Sequence, residues 1–274
     1  MERKYIILFL SFFAISIAGF CRSNVYPTGG KATAMGNAFV SRFDVSSAFN
    51  NQAGLAKVDA VSGGVCYENR FLLKEMSLRG AMVVLPAKTG NFALNFSAFG
   101  PIKWMESRVA LGYAKQLSAK LSAGLQFNYF NTMLPEDNSS ISSFGFELGA
   151  IYQLSAKNFI GIHLANPYSL PLKTYSYEEK IPWVVRVGGH SLLNEAFKLS
   201  YEVEKVESID MKFKLGAEWE AVKNLFFRMG LNSGATKLYG GIGYSYKIIR
   251  TDIAFEYHQI LGITPSISLL FNLK

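Results

Sequence analysis

The chain has 274 residues, of which 50% are hydrophobic, 14% aromatic and only 18% charged, a balance that excludes a disordered or coiled-coil protein. Its formal net charge of +8 falls to +6 without residues 1–23, which carry Arg3, Lys4 and Arg22 against Glu2. That excess is scattered, so no nucleic-acid partner is expected.

Residues 1–23 have the layout of a secretory signal peptide: Arg3 and Lys4, an apolar run over residues 5–20, then Arg22 and Ser23. Bulky Phe20 stands where a lipidated cysteine needs a small residue before it, which argues against lipidation of Cys21. If Cys21 leaves with the signal, Cys66 is unpaired, so neither a disulfide nor a Cys-based metal site is expected. No later run reaches the ~20 apolar residues of a membrane helix. An exported, apolar chain of this kind is periplasmic, secreted or a membrane β-barrel.

Residues 29–56 are built mainly from Gly, Ala, Ser and Asn, with Met35, Phe39, Val40, Phe43, Val45, Phe49 and Leu55 set among them. The mixed spacing of these apolar residues predicts one or two short helices with turns, and the small residues permit close approach to other backbone. The segment reads as an insert around which the rest closes.

From residue 60 onward, alternation with period two recurs. Val109, Leu111 and Tyr113 share one face of a strand opposite Arg108, Ala110 and Gly112; Met211, Phe213 and Leu215 oppose Lys212, Lys214 and Gly216. One face is aliphatic and aromatic, the other Gly, Ser and charge, as in a strand with lipid outside and a polar interior. Breaks in the pattern predict fourteen strands, near 60–69, 76–86, 91–99, 106–117, 120–131, 142–154, 158–166, 181–191, 196–205, 209–219, 224–232, 237–247, 251–259 and 265–273. Short turns at 88–90, 118–120, 155–157, 193–195, 221–223 and 249–251 alternate with more variable connections, the longest being 167–180. Trp104, Trp183 and Trp219 fall near predicted strand ends, where interfacial girdles sit. The expected fold is all-β: a transmembrane antiparallel β-barrel over residues 60–274 with a small N-terminal hatch segment. A soluble β-sandwich is the alternative that alternation alone leaves open.

Residues 29–56 resemble the N-terminal signature of the outer-membrane barrels typified by the FadL fatty-acid transporters and the PorV/PorQ proteins of type IX secretion. The resemblance rests on Met35-Gly36-Asn37-Ala38, Asp44, Ser46-Ser47-Ala48 and Asn51-Gln52-Ala53-Gly54-Leu55-Ala56. It implies a hatch lodged in the barrel, with Met35, Gly36, Asp44, Asn51, Ala53, Gly54 and Leu55 as its motif. Two departures stand out: Gln52 occupies the usual Pro position, and Arg42-Phe43-Asp44 replaces a small-acidic-acidic step.

For chemistry, His163, His190 and His258 all fall on the inward phase in separate strands, and neither a nucleophile motif nor a metal cluster accompanies them. No enzyme activity, cofactor or metal is expected. The inward charges Arg108, Glu147, Arg186, Glu202, Lys212, Lys214, Glu218, Arg228 and Glu256 either line a selective lumen or pair with one another and the hatch; buried charge must be neutralised, which favours pairing. Inward Gly112, Gly124, Gly145, Gly149, Gly188, Gly216, Gly230 and Gly243 leave room for a plug against the wall, or mark curvature.

Because the inward face is mostly polar, the resemblance points first to an accessory barrel of a secretion or envelope complex, with outer-membrane lipid and secretion or envelope proteins as partners. FadL-type transport of a hydrophobic ligand is the alternative.

Overall fold

The computed structural model describes residues 29–133, 140–168, 172–173, 178–179, 181–234 and 237–273. The expected signal peptide, Cys21, the start of the hatch segment and most of the 167–180 connection lie outside the described residues.

Fourteen antiparallel strands close into one barrel. They are β1 (Val61–Asn69), β2 (Ser77–Ala87), β3 (Gly90–Phe99), β4 (Glu106–Gln116), β5 (Leu121–Met133), β6 (Ser140–Gln153) and β7 (Asn158–Ala165), then β8 (Val184–Leu192), β9 (Phe197–Val206), β10 (Lys212–Val222), β11 (Leu225–Asn232), β12 (Lys237–Tyr246), β13 (Ile249–His258) and β14 (Gly262–Leu273). Each pairs with its sequence neighbour, and β1 closes on β14 with Val61 opposite Leu273 and Glu68 opposite Ser266. Closure satisfies every strand edge, which an open sheet in hydrocarbon could not do. A two-strand ribbon, Leu172–Lys173 with Glu178–Glu179, lies in the β7–β8 connection.

The alternation of the sequence is realised as two environments. Val109, Leu111, Phe127, Phe144, Phe213, Ile253 and Leu269 are exposed on the outer wall, while Arg108, Gln126, Glu147, Lys214, Glu218 and Asp252 are buried inside. A wall that is apolar outside and polar inside inverts the arrangement of a soluble sandwich and requires hydrocarbon around it. Trp104 and Trp183 stand at the rim of the longer connections, and Trp219 lies toward the other rim.

The short turns define one rim. Two of them are displaced from their predicted places: the connections before β11 and β13 are 223–224 and 247–248. Consequently Arg250, placed in a turn by the sequence pattern, lies inside β13, on the same face as buried Asp252 and Ala254.

The N-terminal segment supplies the barrel's interior packing. It contains a one-turn helix α1 (Gly30–Ala34) and two 3-10 turns, Val45–Phe49 and Gln52–Lys57. Each 3-10 turn starts on a side-chain cap, Asp44 accepting from the Ser46 N–H and Asn51 from the Ala53 N–H, because short polar side chains satisfy the first free amides. Met35, Phe39, Phe49 and Leu55 are fully buried. Phe49 and Leu55 pack with Met82, Val84, Ala93, Ala114 and Leu270 of the wall.

Candidate functional site

The site is the interface between residues 29–59 and the inner wall, together with the space left above it. Close approach comes first. Side-chain atoms added at Gly124, Gly149, Gly216 and Gly230 would strike Ala53, Asn51, Met35 and Gly36 respectively. These wall glycines are therefore gaps filled by the segment. Gly243 instead makes room for Arg228 and Asp252, and Gly145 for Asn166. Gly36 has a left-handed φ of 63° and lies against the backbone of Leu231, so it is constrained twice over.

Polar contacts then fix the segment at three levels. At the middle level, Glu147 on β6 accepts from Gln52 Nε2 at 2.8 Å, Asn128 Nδ2 at 2.9 Å and Arg108 Nη1 at 3.3 Å, and pairs with His163 Nε2 at 3.0 Å. Arg108 also donates to Asn95, whose amide reaches the Ala48 carbonyl. Asn51 Nδ2 donates to the Val40 carbonyl at 2.6 Å and to Ile162 on β7 at 3.2 Å.

Toward the long-connection rim, Glu202 on β9 accepts from the Phe39 and Val40 amides, both at 2.9 Å, and from Lys214 at 2.7 Å. Lys214 bridges on to Glu204 at 2.8 Å, which also pairs with Arg186 and Lys212. Arg186 donates to the Asn50 carbonyl. Above this level lies a cavity of about 290 Å³, floored by Asn37 and Asn50 of the segment and walled by Arg186, Glu204, Lys212, Lys214, Lys237 and Glu256, among others.

Toward the short-turn rim, Asp44 meets Arg250 through two contacts of 2.8 Å and Lys31 at 3.0 Å. Burial alone would raise the Asp44 carboxyl, but Arg250, Lys31 and the Ser46 amide together hold it well below the usual carboxylate range. Burial lowers the Lys31 ammonium from its ordinary value, against the pull of Asp44 and Glu218. Glu218 on β10 pairs with Arg42, Arg228, Lys31 and Lys198. Arg228 also reaches Asp252 at 2.7 Å, and Arg250 reaches it at 3.0 Å.

The inward charges named from the sequence are thus gathered into three groups. Glu147 with Arg108 forms one, Arg186, Glu202, Lys212 and Lys214 a second, and Glu218 with Arg228 a third; Glu256 pairs with Lys237 beside the cavity. Of the histidines, His163 joins Glu147, His190 bonds Ser41 at 3.0 Å, and His258 accepts from its own turn. Sequence reasoning missed Lys31, Arg42, Lys198, Glu204, Arg250 and Asp252. Arg42 and Gln52 carried a usable signal, being the two departures from the family signature, and each meets a wall carboxylate, Glu218 and Glu147.

No protein-family model matches the chain, and no curated protein does. Solved structures do. The toluene transporter TbuX of Ralstonia pickettii is 14% identical, with 92% of this chain and 100% of that chain covered and a TM-score of 0.67. The P. putida toluene transporter TodX is 11% identical over 91% and 99%, with a TM-score of 0.70. A Pseudomonas aeruginosa FadL homologue is 12% identical over 91% and 99%, with a TM-score of 0.66. At these identities the likeness establishes fold: the chain has the fold of the FadL-type barrels.

Proposed function

We propose that the chain is an outer-membrane transport barrel of the FadL type, exported by its signal peptide, in which residues 24–59 act as a hatch beneath a vestibule. Its longer connections face outward and its short turns face the periplasm, the usual disposition of such barrels. The observation that carries this reading is the cavity of about 290 Å³ whose floor is made by Asn37 and Asn50 of the segment. A solute entering from the long-connection rim meets the segment and goes no further unless it shifts. TbuX and TodX are toluene transporters, which supports a hydrophobic small molecule as cargo here.

The polar inward face, which by sequence favours a secretion adaptor, loses its force as an argument. Glu147, Glu202, Glu218 and Arg228 are occupied by one another and by the segment, so their polarity reflects what holds the segment. TbuX, TodX and the FadL homologue lend no support to the accessory role in secretion that the PorV/PorQ resemblance implies.

The test is flux. Proteoliposomes containing the purified barrel should accumulate toluene or a long-chain fatty acid faster than protein-free vesicles, and Asn51→Ala with Gly54→Leu should increase the rate. Absent flux, combined with stoichiometric secretion proteins on affinity purification from solubilised membranes, would return the adaptor reading.

A further inference from the structure

The short-turn level of the interface has more positive than negative charge. Lys31, Arg42, Lys198, Arg228 and Arg250 converge on three carboxylates, Asp44, Glu218 and Asp252. Glu218, itself buried, serves four of these cations. Among the described residues two positive charges are left over, in a place where uncompensated charge is costly. Residues 1–28 contribute one acid, Glu2, to the sequence.

A second observation points to the missing partner. Arg42 is 5% exposed, and while its Nη2 is committed to Glu218, its Nη1 is buried without a hydrogen-bond partner among the described residues. A guanidinium nitrogen left so is an unmet demand for an acceptor, and charged acceptors are the strongest available. The cluster is also reachable. Lys198 is the second residue of β9 and Arg250 the second of β13, both beside short turns, and their side chains remain 29% and 22% exposed.

We propose that this cluster is a binding site for a small oxyanion, entering from the short-turn mouth and held by Lys198, Arg42 and Lys31. Its charge completes the set of carboxylates around these cations. Because Lys31 and Arg42 belong to the N-terminal segment while Lys198, Arg228 and Arg250 belong to the wall, the bound anion ties segment to barrel. Occupancy then keeps the segment seated. Binding stands whatever the cargo of the barrel; only its consequence for passage rests on the hatch reading.

Inorganic phosphate serves as the probe. The detergent-solubilised full barrel is titrated with sodium phosphate and, at matched ionic strength, with sodium chloride, following both calorimetric binding and the thermal unfolding midpoint. The expected result is saturable binding of phosphate with a rising midpoint, and a smaller effect of chloride. In Lys198→Gln affinity should fall about tenfold, the loss of one charge-assisted contact, yet the midpoint without phosphate should equal or exceed that of the parent because one excess cation is gone. A merely structural lysine would instead lower that midpoint. Equal effects of phosphate and chloride, no binding at all, or unchanged affinity in Lys198→Gln would each overturn the proposal. Flux through proteoliposomes is a separate readout, so failure of the transport reading leaves this result standing.

Discussion

Asp44 of the N-terminal segment and Arg250 of β13 meet fork to fork, both guanidinium nitrogens 2.8 Å from the two carboxylate oxygens, across 206 residues of chain. The pair joins the cap of a 3-10 turn to the barrel wall, so one side chain both starts local structure and anchors it. Arg250→Ala leaves buried Asp44 with the Ser46 amide and, among the described residues, Lys31 as its remaining cation. Removing one partner of a buried pair costs about 3–5 kcal/mol, reduced here because Arg250 is partly exposed, so a loss of about 2 kcal/mol is expected. Denaturant unfolding in detergent measures it, and hydrogen exchange should rise over residues 29–59 before it rises in the strands.

The same pair sets an acid limit. The Asp44 carboxyl is held below its ordinary value of 3.8 in the folded protein, so its contribution is fully present above that value and is lost as pH falls toward the folded one. Protease access to residues 29–59 should therefore increase as pH drops below about 4. Asp44→Asn should show that access already at neutral pH, with a flatter acid response. An identical acid response in Asp44→Asn would assign the effect to the other carboxylates.

Two wall glycines should respond differently. At Gly230 a side chain would strike the backbone of Gly36 and Met35, which cannot rotate away. Gly230→Val should cost about 1–3 kcal/mol or displace the segment, as overpacking does. At Gly112 the nearest atoms are side chains at 3.4–3.7 Å, so Gly112→Ala should stay within about 0.5 kcal/mol. Conductance of the two variants in planar bilayers would separate displacement of the segment from simple destabilisation.

The outer wall offers an independent check. Phe127 lies midway along β5 and is 63% exposed. In a bilayer Phe127→Arg should cost about 2–4 kcal/mol, the penalty for an arginine at the membrane midplane. Folding into vesicles, followed by heat-modifiable gel mobility, reads this out; an unaffected variant would mean that β5 does not face hydrocarbon at that depth.

The sequence alone determined the strands and their two faces. Side-chain alternation is a local property of each strand, so the fourteen segments and the phase that puts Phe127 and Phe213 outside with Arg108 and Lys214 inside could both be read from short stretches. Turn positions were less secure, since Arg250 and Val222 sit at strand ends where a shift of two residues changes nothing in the pattern. Which inward charges meet was decided only by tertiary structure. Asp44 with Arg250, Gln52 with Glu147 and Arg42 with Glu218 are brought together from 95 to 206 residues apart by barrel closure and by the path of the segment through the lumen, neither of which has a local signature. Read strand by strand, the lumen's polarity left a selective lining open beside pairing, which neutralisation of buried charge favoured; once the barrel closes, Glu147, Glu218 and Arg228 meet the segment and one another.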